Sequence, residues 1–285
     1  MKHALVIYKK SQYQIYVKER KNKHIESLIE NSSEVTKGIL ASHQQHLKSI
    51  DETKKILAYY GIKAKFVSRA SEIDSSNVDI VFSIGGDGTL LWTQKKIPKE
   101  IPLFGINSDP ERSVGALCCS TVDGLKEKIK KYLENPEKYQ SSVTRMSVSV
   151  NGNLISNKVL NDVLFCHKNP AATTSNILIL KDKTVNHKSS GVWVSTAIGS
   201  TGAMKSAGGV AYHRTNPFIQ WKVREPITRD KEYLSGIIQP GETLSFISKM
   251  REGMIALDGS RECHTINMGD RVDFSASPES LILVK

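Results

Sequence analysis

The chain has 285 residues, 39% hydrophobic and 24% charged, with a formal net charge of +11 and an isoelectric point near 9.4. That length is more than one typical domain, and the composition is that of a soluble globular protein, so two domains are expected. No run approaches the ~18 apolar residues of a membrane span, and Met1-Lys2-His3 leads straight into a strand-like ALVIY rather than a cleavable leader, so a cytoplasmic protein is expected.

Four cysteines without a Cys-x-x-Cys pair exclude a zinc ribbon or a disulfide framework, and reduced thiols are expected. His264 beside Cys263 has no second close pair to complete a metal site, so no protein-held metal is expected. Residues 1 to 65 hold thirteen Lys or Arg against six Asp or Glu. Such a basic face attracts polyanionic small molecules as well as nucleic acid. The aromatics do not alternate with the cations and no nucleic-acid motif is present, which argues against nucleic acid as the ligand.

In chain order, ALVIY is a first strand, followed by a polar, basic loop. Val35, Ile39, His43, Leu47, Ile50, Lys54 and Leu57 then recur at steps of three or four, predicting a helix with one buried stripe that Gly61 ends. FVS at 66 to 68 and DIVFSI at 79 to 84 read as strands, LLWTQ as a short helix and IPLFGI at 101 to 106 as another strand. From Thr121, VDGLKEKIKKYLENP is a helix stopped at Asn135-Pro136. This alternation predicts an α/β domain, residues 1–140, with a Rossmann-like parallel sheet.

From about residue 143 the pattern changes. VTRMSVSV is followed by the hairpin turn Asn151-Gly152 and then LISNKVLNDVLF. SNILIL, GVWVST, TLSFIS, MIALDG, RVDFSAS and LILVK are all short and strand-like, and only residues 201 to 209 look helical. A mainly β domain over 141–270 is expected, with 271–285 supplying a final strand that returns to the first domain.

The chemistry is concentrated in VFSIGGDGTLLWT, residues 81 to 93. A buried parallel strand ends there, and ligands of open α/β sheets bind at such strand ends. Glycines let backbone approach a phosphate closely, and a helix N-terminus offers unpaired N–H groups to an anion. Asp87 among these glycines is suited to hold a divalent metal or to take a proton from an attacking hydroxyl, whereas helix capping alone does not call for three glycines.

Gly85-Gly86-Asp87-Gly88-Thr89 resembles the signature shared by NAD kinases and by diacylglycerol and sphingosine kinases, and more distantly the GGDGS of phosphofructokinases. Two further motifs choose among them. Asn161-Asp162, within VLNDVLF, is similar to the Asn-Glu pair of NAD kinases with aspartate in the second place. GVWVSTAIGSTGAMKSAGG, residues 191 to 209, resembles that family's Gly/Ser/Thr-rich segment. The order and separations agree, and the resemblance spans residues from about 79 to 262.

Three departures mark a branch. After Asn107, SDPERSVGALCC stands where most NAD kinases carry Gly-x-Leu-Gly-Phe, and it resembles the mitochondrial and plant NADH-kinase branch. Thr201-Gly202-Ala203 replaces the usual Thr-Ala-Tyr, and Ser190 precedes Gly191 where many members have aspartate. The last two changes fall on residues the family uses for the nicotinamide half, which leaves NAD+ and NADH both open as substrates.

The resemblance implies transfer of the ATP γ-phosphoryl group to the 2′-hydroxyl of the adenosine ribose, with Mg2+ arriving on the nucleotide. It implies Asp87 as the catalytic residue, orienting that hydroxyl and taking its proton. Amides of Gly86, Gly88 and Thr89 would face phosphates. Asn161 and Asp162 would bind ribose hydroxyls, and Ser200, Thr201 and Gly202 would meet the pyrophosphate or adenine. Asp258-Gly259 resembles a late Asp-Gly turn of the family and reads equally well as a plain hairpin turn, and Arg112 is a candidate for phosphate contact. A homo-oligomer is also implied. A lipid kinase is the alternative, and it leaves Asn161-Asp162 and the SAGG segment without a role.

Overall fold

The computed structural model describes residues 2–31, 33–227 and 233–285. It divides into two compact units, Met1–Ser141 with Ile282–Lys285, and Ser142–Leu281.

The first unit runs β1 (His3–Tyr8), α1 (Lys23–Glu30), α2 (Ile39–Tyr59), β2 (Lys63–Ser68), β3 (Ile80–Gly85), α3 (Asp87–Gln94), β4 (Leu103–Asn107), β5 (Ser120–Thr121), α4 (Val122–Glu134) and β6 (Gln140–Val143). Its sheet has the order β2-β1-β3-β4, then the chain's last strand, Leu281–Val284, then β6, with β5 beside β4. Strands β1 to β4 are parallel, and the last strand joins β4 in parallel with Leu283 opposite Leu103.

Every residue of β3 and β4 is buried, as a parallel strand covered on both faces requires. One face packs Val6, Phe82, Ile84, Phe104 and Ile106 against Leu57 of α2 and Leu125, Ile129 and Tyr132 of α4. The other meets α3: Thr93 Oγ1 lies 3.5 Å from Ser83 Oγ, and a Cβ on Gly105 would come within 2.6 Å of the Leu90 side chain.

Two expectations for this unit are corrected. The polar, basic stretch after β1 is not a simple loop but holds a π-helical turn, Gln14–Glu19, and α1, whose first turn is closed by the Asn22 side chain accepting from Ile25 N–H. The buried stripe of α2 is also only partly the apolar one, for Leu57 is buried and Ile50 packs against the core as expected, but the rest of the buried face is polar. Val35 is 82% exposed, Leu47 is 48% exposed, and the buried residues are His46, Ser49, Thr53 and Leu57. This part of the helix lies over the carboxyl ends of the strands, where backbone groups seek polar partners that aliphatic side chains cannot supply.

The second unit is a two-layer antiparallel sandwich. Its elements are β7 (Met146–Val150), β8 (Asn153–Val159), β9 (Asp162–His167), β10 (Thr174–Leu180), β11 (Lys183–Ser189), β12 (Gly191–Thr196), α5 (Ala203–Ser206), β13 (Ile219–Arg224), β14 (Ser235–Ile238), β15 (Thr243–Ser248), β16 (Gly253–Leu257), β17 (Cys263–Ile266) and β18 (Arg271–Ala276). The sheets have orders β11-β10-β15-β18-β7-β8 and β14-β13-β12-β9-β16-β17. Val148, Leu178, Phe246 and Phe274 from the first meet Phe165, Val194, Trp221 and Ile255 from the second in one core.

Asn151 and Gly152 both have positive φ, 51° and 79°, as the two-residue turn between β7 and β8 demands. The helical stretch expected over 201 to 209 shrinks to a 3-10 turn at Gly199–Thr201 and the four residues of α5. Strands β11, β13, β14 and β17 are additional to those read from sequence. The feature that places the site is the passage from β8 to β9: at Leu160-Asn161 the chain leaves one sheet and enters the other.

Among the described residues no helix is long and apolar enough to cross a membrane, and all four cysteines are free.

Candidate active site

In the first unit the residues of interest converge at the carboxyl ends of β1, β3 and β4. Asp87 opens α3, but its side chain does not cap that helix, whose N-cap is Gly86. Instead Asp87 Oδ1 accepts from Leu117 N–H at 2.8 Å and Oδ2 from Ala116 N–H at 3.0 Å. The loop after β4 is held at its other end by Asn107, which donates from Nδ2 to the Ser113 carbonyl at 2.8 Å and accepts from Asp109 N–H at 3.2 Å.

The glycines around Asp87 divide by function. A Cβ on Gly86 would come within 2.6 Å of Ser113 Oγ, and one on Gly85 would collide with the Thr89 side chain, so these two glycines make room for the site's own packing. Gly88 is exposed, with open space where its Cβ would be, in the first turn where helix amides have no intrahelical acceptor. Thr89 departs from expectation: it is buried, and its amide already donates to the Gly86 carbonyl at 2.9 Å, which leaves Thr89 as packing rather than an amide aimed at phosphate.

His46, 1% exposed, joins two of these strand ends. Its Nε2 lies 2.7 Å from the Lys9 carbonyl and its Nδ1 2.8 Å from Ser108 Oγ, while Ser108 N–H donates to the Gly85 carbonyl. Burial pushes the imidazole down to about 4, so it is neutral near pH 7. A carbonyl can only accept, so Nε2 carries the proton and Nδ1 accepts from the Ser108 hydroxyl. Nearby, burial lowers the Lys9 ammonium while the charge of Asp109 opposes that shift. Arg112 is engaged with Asp109 at 3.0 Å and Glu111 at 3.2 Å.

In the second unit Asn161 and Asp162 stand where the chain changes sheets. The Leu160-Asn161 backbone is clasped on both sides. Asp258, at the β16–β17 turn, takes Asn161 N–H at 2.7 Å and Leu160 N–H at 3.2 Å. Thr196 Oγ1 donates to the Leu160 carbonyl, and Thr196 N–H donates to the Asn161 carbonyl at 3.1 Å. Asn161 Nδ2 donates to Asp162 Oδ2 at 2.9 Å. Asp162 is 5% exposed, and burial, with the Asp258 charge adding to it, pushes its carboxyl up to about 7.

Of the three small residues expected near the dinucleotide, Thr201 and Gly202 are exposed, while Ser200 is fully buried. The Ser200 hydroxyl donates to the Ala197 carbonyl at 2.7 Å and accepts from Tyr212 N–H at 2.8 Å, so it closes a loop and does not cap α5.

In the sequence Asp258-Gly259 is indistinguishable from a plain hairpin turn, and no motif marks His46 or Gly199 as part of the site. The signal for His46 was a polar series, His46-Ser49-Thr53, at helical spacing. Gly199 packs so tightly on the Asn161 carbonyl that a Cβ there would lie 2.6 Å from both the Asn161 carbonyl carbon and Ser195 Oγ.

Among the described residues no three His, Cys, Asp or Glu side chains group to hold a metal ion. The geometry offers a half-exposed carboxylate beside a glycine-opened helix N-terminus in one unit, and a buried amide–carboxyl pair in the other.

No family model matches the chain. It is 32% identical over 267 residues to a probable NADH kinase of Oryza sativa subsp. japonica, covering 84% of this chain and 81% of that protein. It is 30% identical over 275 residues to an NADH kinase of Arabidopsis thaliana, covering 88% of this chain and 86% of that one. In fold it matches the crystal structure of an NAD kinase from Archaeoglobus fulgidus in complex with ATP, with a TM-score of 0.69 at 20% identity over 99% of this chain and 93% of that one. With two relatives at 30% identity or more aligned over most of their length, the chain belongs to the NAD kinase family of phosphotransferases.

Proposed function

We propose that this enzyme transfers the γ-phosphoryl group of ATP to the 2′-hydroxyl of the adenosine ribose of NAD+ or NADH, producing NADP(H). The observation that carries this reading is the placement of Asp87. An ionised carboxylate has about four lone-pair sites, and amides of Ala116 and Leu117 take two of them. Those two bonds fix the carboxylate, and the remaining lone pairs are free to accept a hydroxyl proton.

An ordinary carboxylate is a weak base for an alcohol, which suffices because phosphoryl transfer passes through a loose transition state in which alignment of the attacking oxygen counts most. Asp87 thus orients the hydroxyl and receives its proton as the bond to the γ-phosphorus forms and the bond from that phosphorus to the β,γ-bridging oxygen breaks, releasing ADP. The exposed first turn at Gly88 receives phosphate oxygens. Asn161 and Asp162 hold ribose hydroxyls, the amide oxygen and carboxylate accepting and the amide nitrogen donating. Exposed Thr201 and Gly202 lie along the dinucleotide. Among the described residues no three His, Cys, Asp or Glu side chains group to hold a metal, so a divalent cation such as Mg2+ would arrive with ATP and would supply charge neutralisation to its phosphates.

The names of the two plant relatives support NADH as an acceptor, and the ATP complex of the archaeal neighbour supports ATP as donor. The working enzyme is taken as a homo-oligomer, as the family resemblance implies.

The test is an assay of purified protein with ATP and Mg2+, NAD+ and NADH side by side, with 31P NMR locating the new phosphate. A 2′-phosphorylated dinucleotide is expected. Absence of NADP(H) together with phosphorylation of a diacylglycerol or sphingoid base in micelles would overturn the proposal.

A further inference from the structure

We propose that Asp258 is a positioning residue of the dinucleotide site: it fixes the backbone on which Asn161 and Asp162 stand, and its negative charge sets how readily Asp162 accepts a ribose hydroxyl. This rests on the assignment of Asn161 and Asp162 to the ribose made above.

The geometric part is a closed set of bonds. The Asp258 carboxylate accepts from both Leu160 and Asn161 N–H, and Asp258 N–H donates to the Asp162 carbonyl at 2.8 Å. Asp258 thereby grips three successive residues, from a position almost a hundred residues away in sequence. To do so it adopts a left-handed backbone, φ 53°, followed by Gly259 at φ 106°. Aspartate tolerates that region better than most residues, and a conformation of this kind persists where surrounding bonds enforce it.

The electrostatic part follows from proximity. Asp162 lies on β9 between β12 and β16. From β12 its neighbours are Ser195, directly opposite, and Thr196, and in its own turn Asn161; none of these titrates near neutrality. The charged group that acts on Asp162 is Asp258, which adds to burial in holding the Asp162 carboxyl up at about 7. A ribose hydroxyl donates more strongly to the ionised carboxylate than to the neutral carboxyl. Binding therefore expels a proton from a fraction of the molecules near pH 7, and dinucleotide affinity rises with pH.

Calorimetric titration of the wild-type enzyme with NADH at pH 7, in buffers of different ionisation enthalpy, tests this without any variant. Net proton release is expected, and its absence overturns the proposal. In steady-state assays KM for the dinucleotide is expected to fall roughly tenfold from pH 6 to pH 8, with KM for ATP flat. Asp258→Asn keeps an oxygen acceptor for the amides but removes the charge. Its midpoint should move down by roughly one pH unit, shrinking the pH 6 to 8 change to about twofold. Asp258→Glu keeps the charge in a displaced position and should raise the dinucleotide KM at every pH without moving the midpoint. A folded Asp258→Asn enzyme with the wild-type midpoint overturns the proposal. So does an Asp162→Asn enzyme that retains the full pH dependence, a measurement that stands even where Asp258 variants do not fold. Failure of what the proposal rests on looks different: an Asp162→Asn enzyme with the wild-type dinucleotide KM at every pH would remove Asp162 from the ribose, and wild-type protein forming no NADP(H) at any pH would remove the kinase reading itself.

Discussion

Asp87 and Leu117 are joined by a 2.8 Å hydrogen bond from the Leu117 amide to the carboxylate, and Ala116 occupies the other oxygen at 3.0 Å. The side chain proposed to face the reacting hydroxyl is thus also the anchor of the loop after β4. Asp87→Asn replaces one acceptor with an NH2 group that confronts a backbone N–H, at a local cost of about 1 to 3 kcal/mol. Turnover should fall by orders of magnitude, and hydrogen exchange at Ala116 or Leu117 should speed up, while circular dichroism shows a folded protein. Unchanged turnover in the folded variant would remove Asp87 from the chemistry.

Much of this arrangement is legible in the sequence where a local signal and a global constraint agree. IVFSI followed by GGDGT is a buried parallel strand entering a helix, and both the run and its glycines say so. Asn151-Gly152 is a hairpin turn on its own two residues. What is hidden depends on partners distant in the chain. Asp258 looks like an ordinary hairpin residue until its bonds to Leu160 and Asn161 are seen. Arg145, wholly buried in MSVSV's approach, is satisfied by Glu279 and the carbonyls of Glu279 and Ser280. In α2, apolar periodicity marks Leu57 and Ile50 but not His46, Ser49 and Thr53, because that part of the buried face answers the polar strand ends and not the core alone.

Asp162 makes stability depend on pH in the direction opposite to most carboxylates. Its folded carboxyl titrates at about 7 against an ordinary 3.8, so between these values the folded protein holds a proton that the unfolded chain has lost. The resulting stabilisation is present below about 3.8 and disappears as pH rises through 7, a difference of up to about 4 kcal/mol. Asp162→Asn cannot ionise and keeps a neutral partner for Asn161. The variant should therefore melt at a higher temperature than wild type at pH 8 and gain much less at pH 4. An equal shift at both pH values would show that ionisation of Asp162 is not the cause.

His46 acts with the opposite sign. Its folded imidazole titrates at about 4 against 6.5, so between those values the unfolded chain binds the extra proton and stability falls as pH falls. The effect is about 3 kcal/mol over that window. His46→Leu removes this dependence but strands the Ser108 hydroxyl and the Lys9 carbonyl, costing about 2 kcal/mol or more at pH 7. Denaturant titrations at pH 7 and pH 5 should show the variant weaker at neutral pH and its loss on acidification smaller than that of wild type. An unchanged acid slope would place the sensitive group elsewhere.

Gly199 carries the last expectation, because its hydrogen stands where a methyl group would press on the backbone of the turn proposed to bind the ribose. A Cβ there would meet the Asn161 carbonyl carbon and Ser195 Oγ, each at 2.6 Å, closer than real Cβ contacts come. Ser195 can rotate, but the Asn161 backbone is gripped by Asp258 on one side and Thr196 on the other, so it cannot retreat without breaking those bonds. Overpacking of this kind costs about 1 to 3 kcal/mol. Gly199→Ala should raise KM for NAD+ or NADH several-fold or more while KM for ATP holds, and lower the melting temperature. Loss of ATP affinity with dinucleotide affinity intact would contradict the placement of the ribose at Asn161 and Asp162.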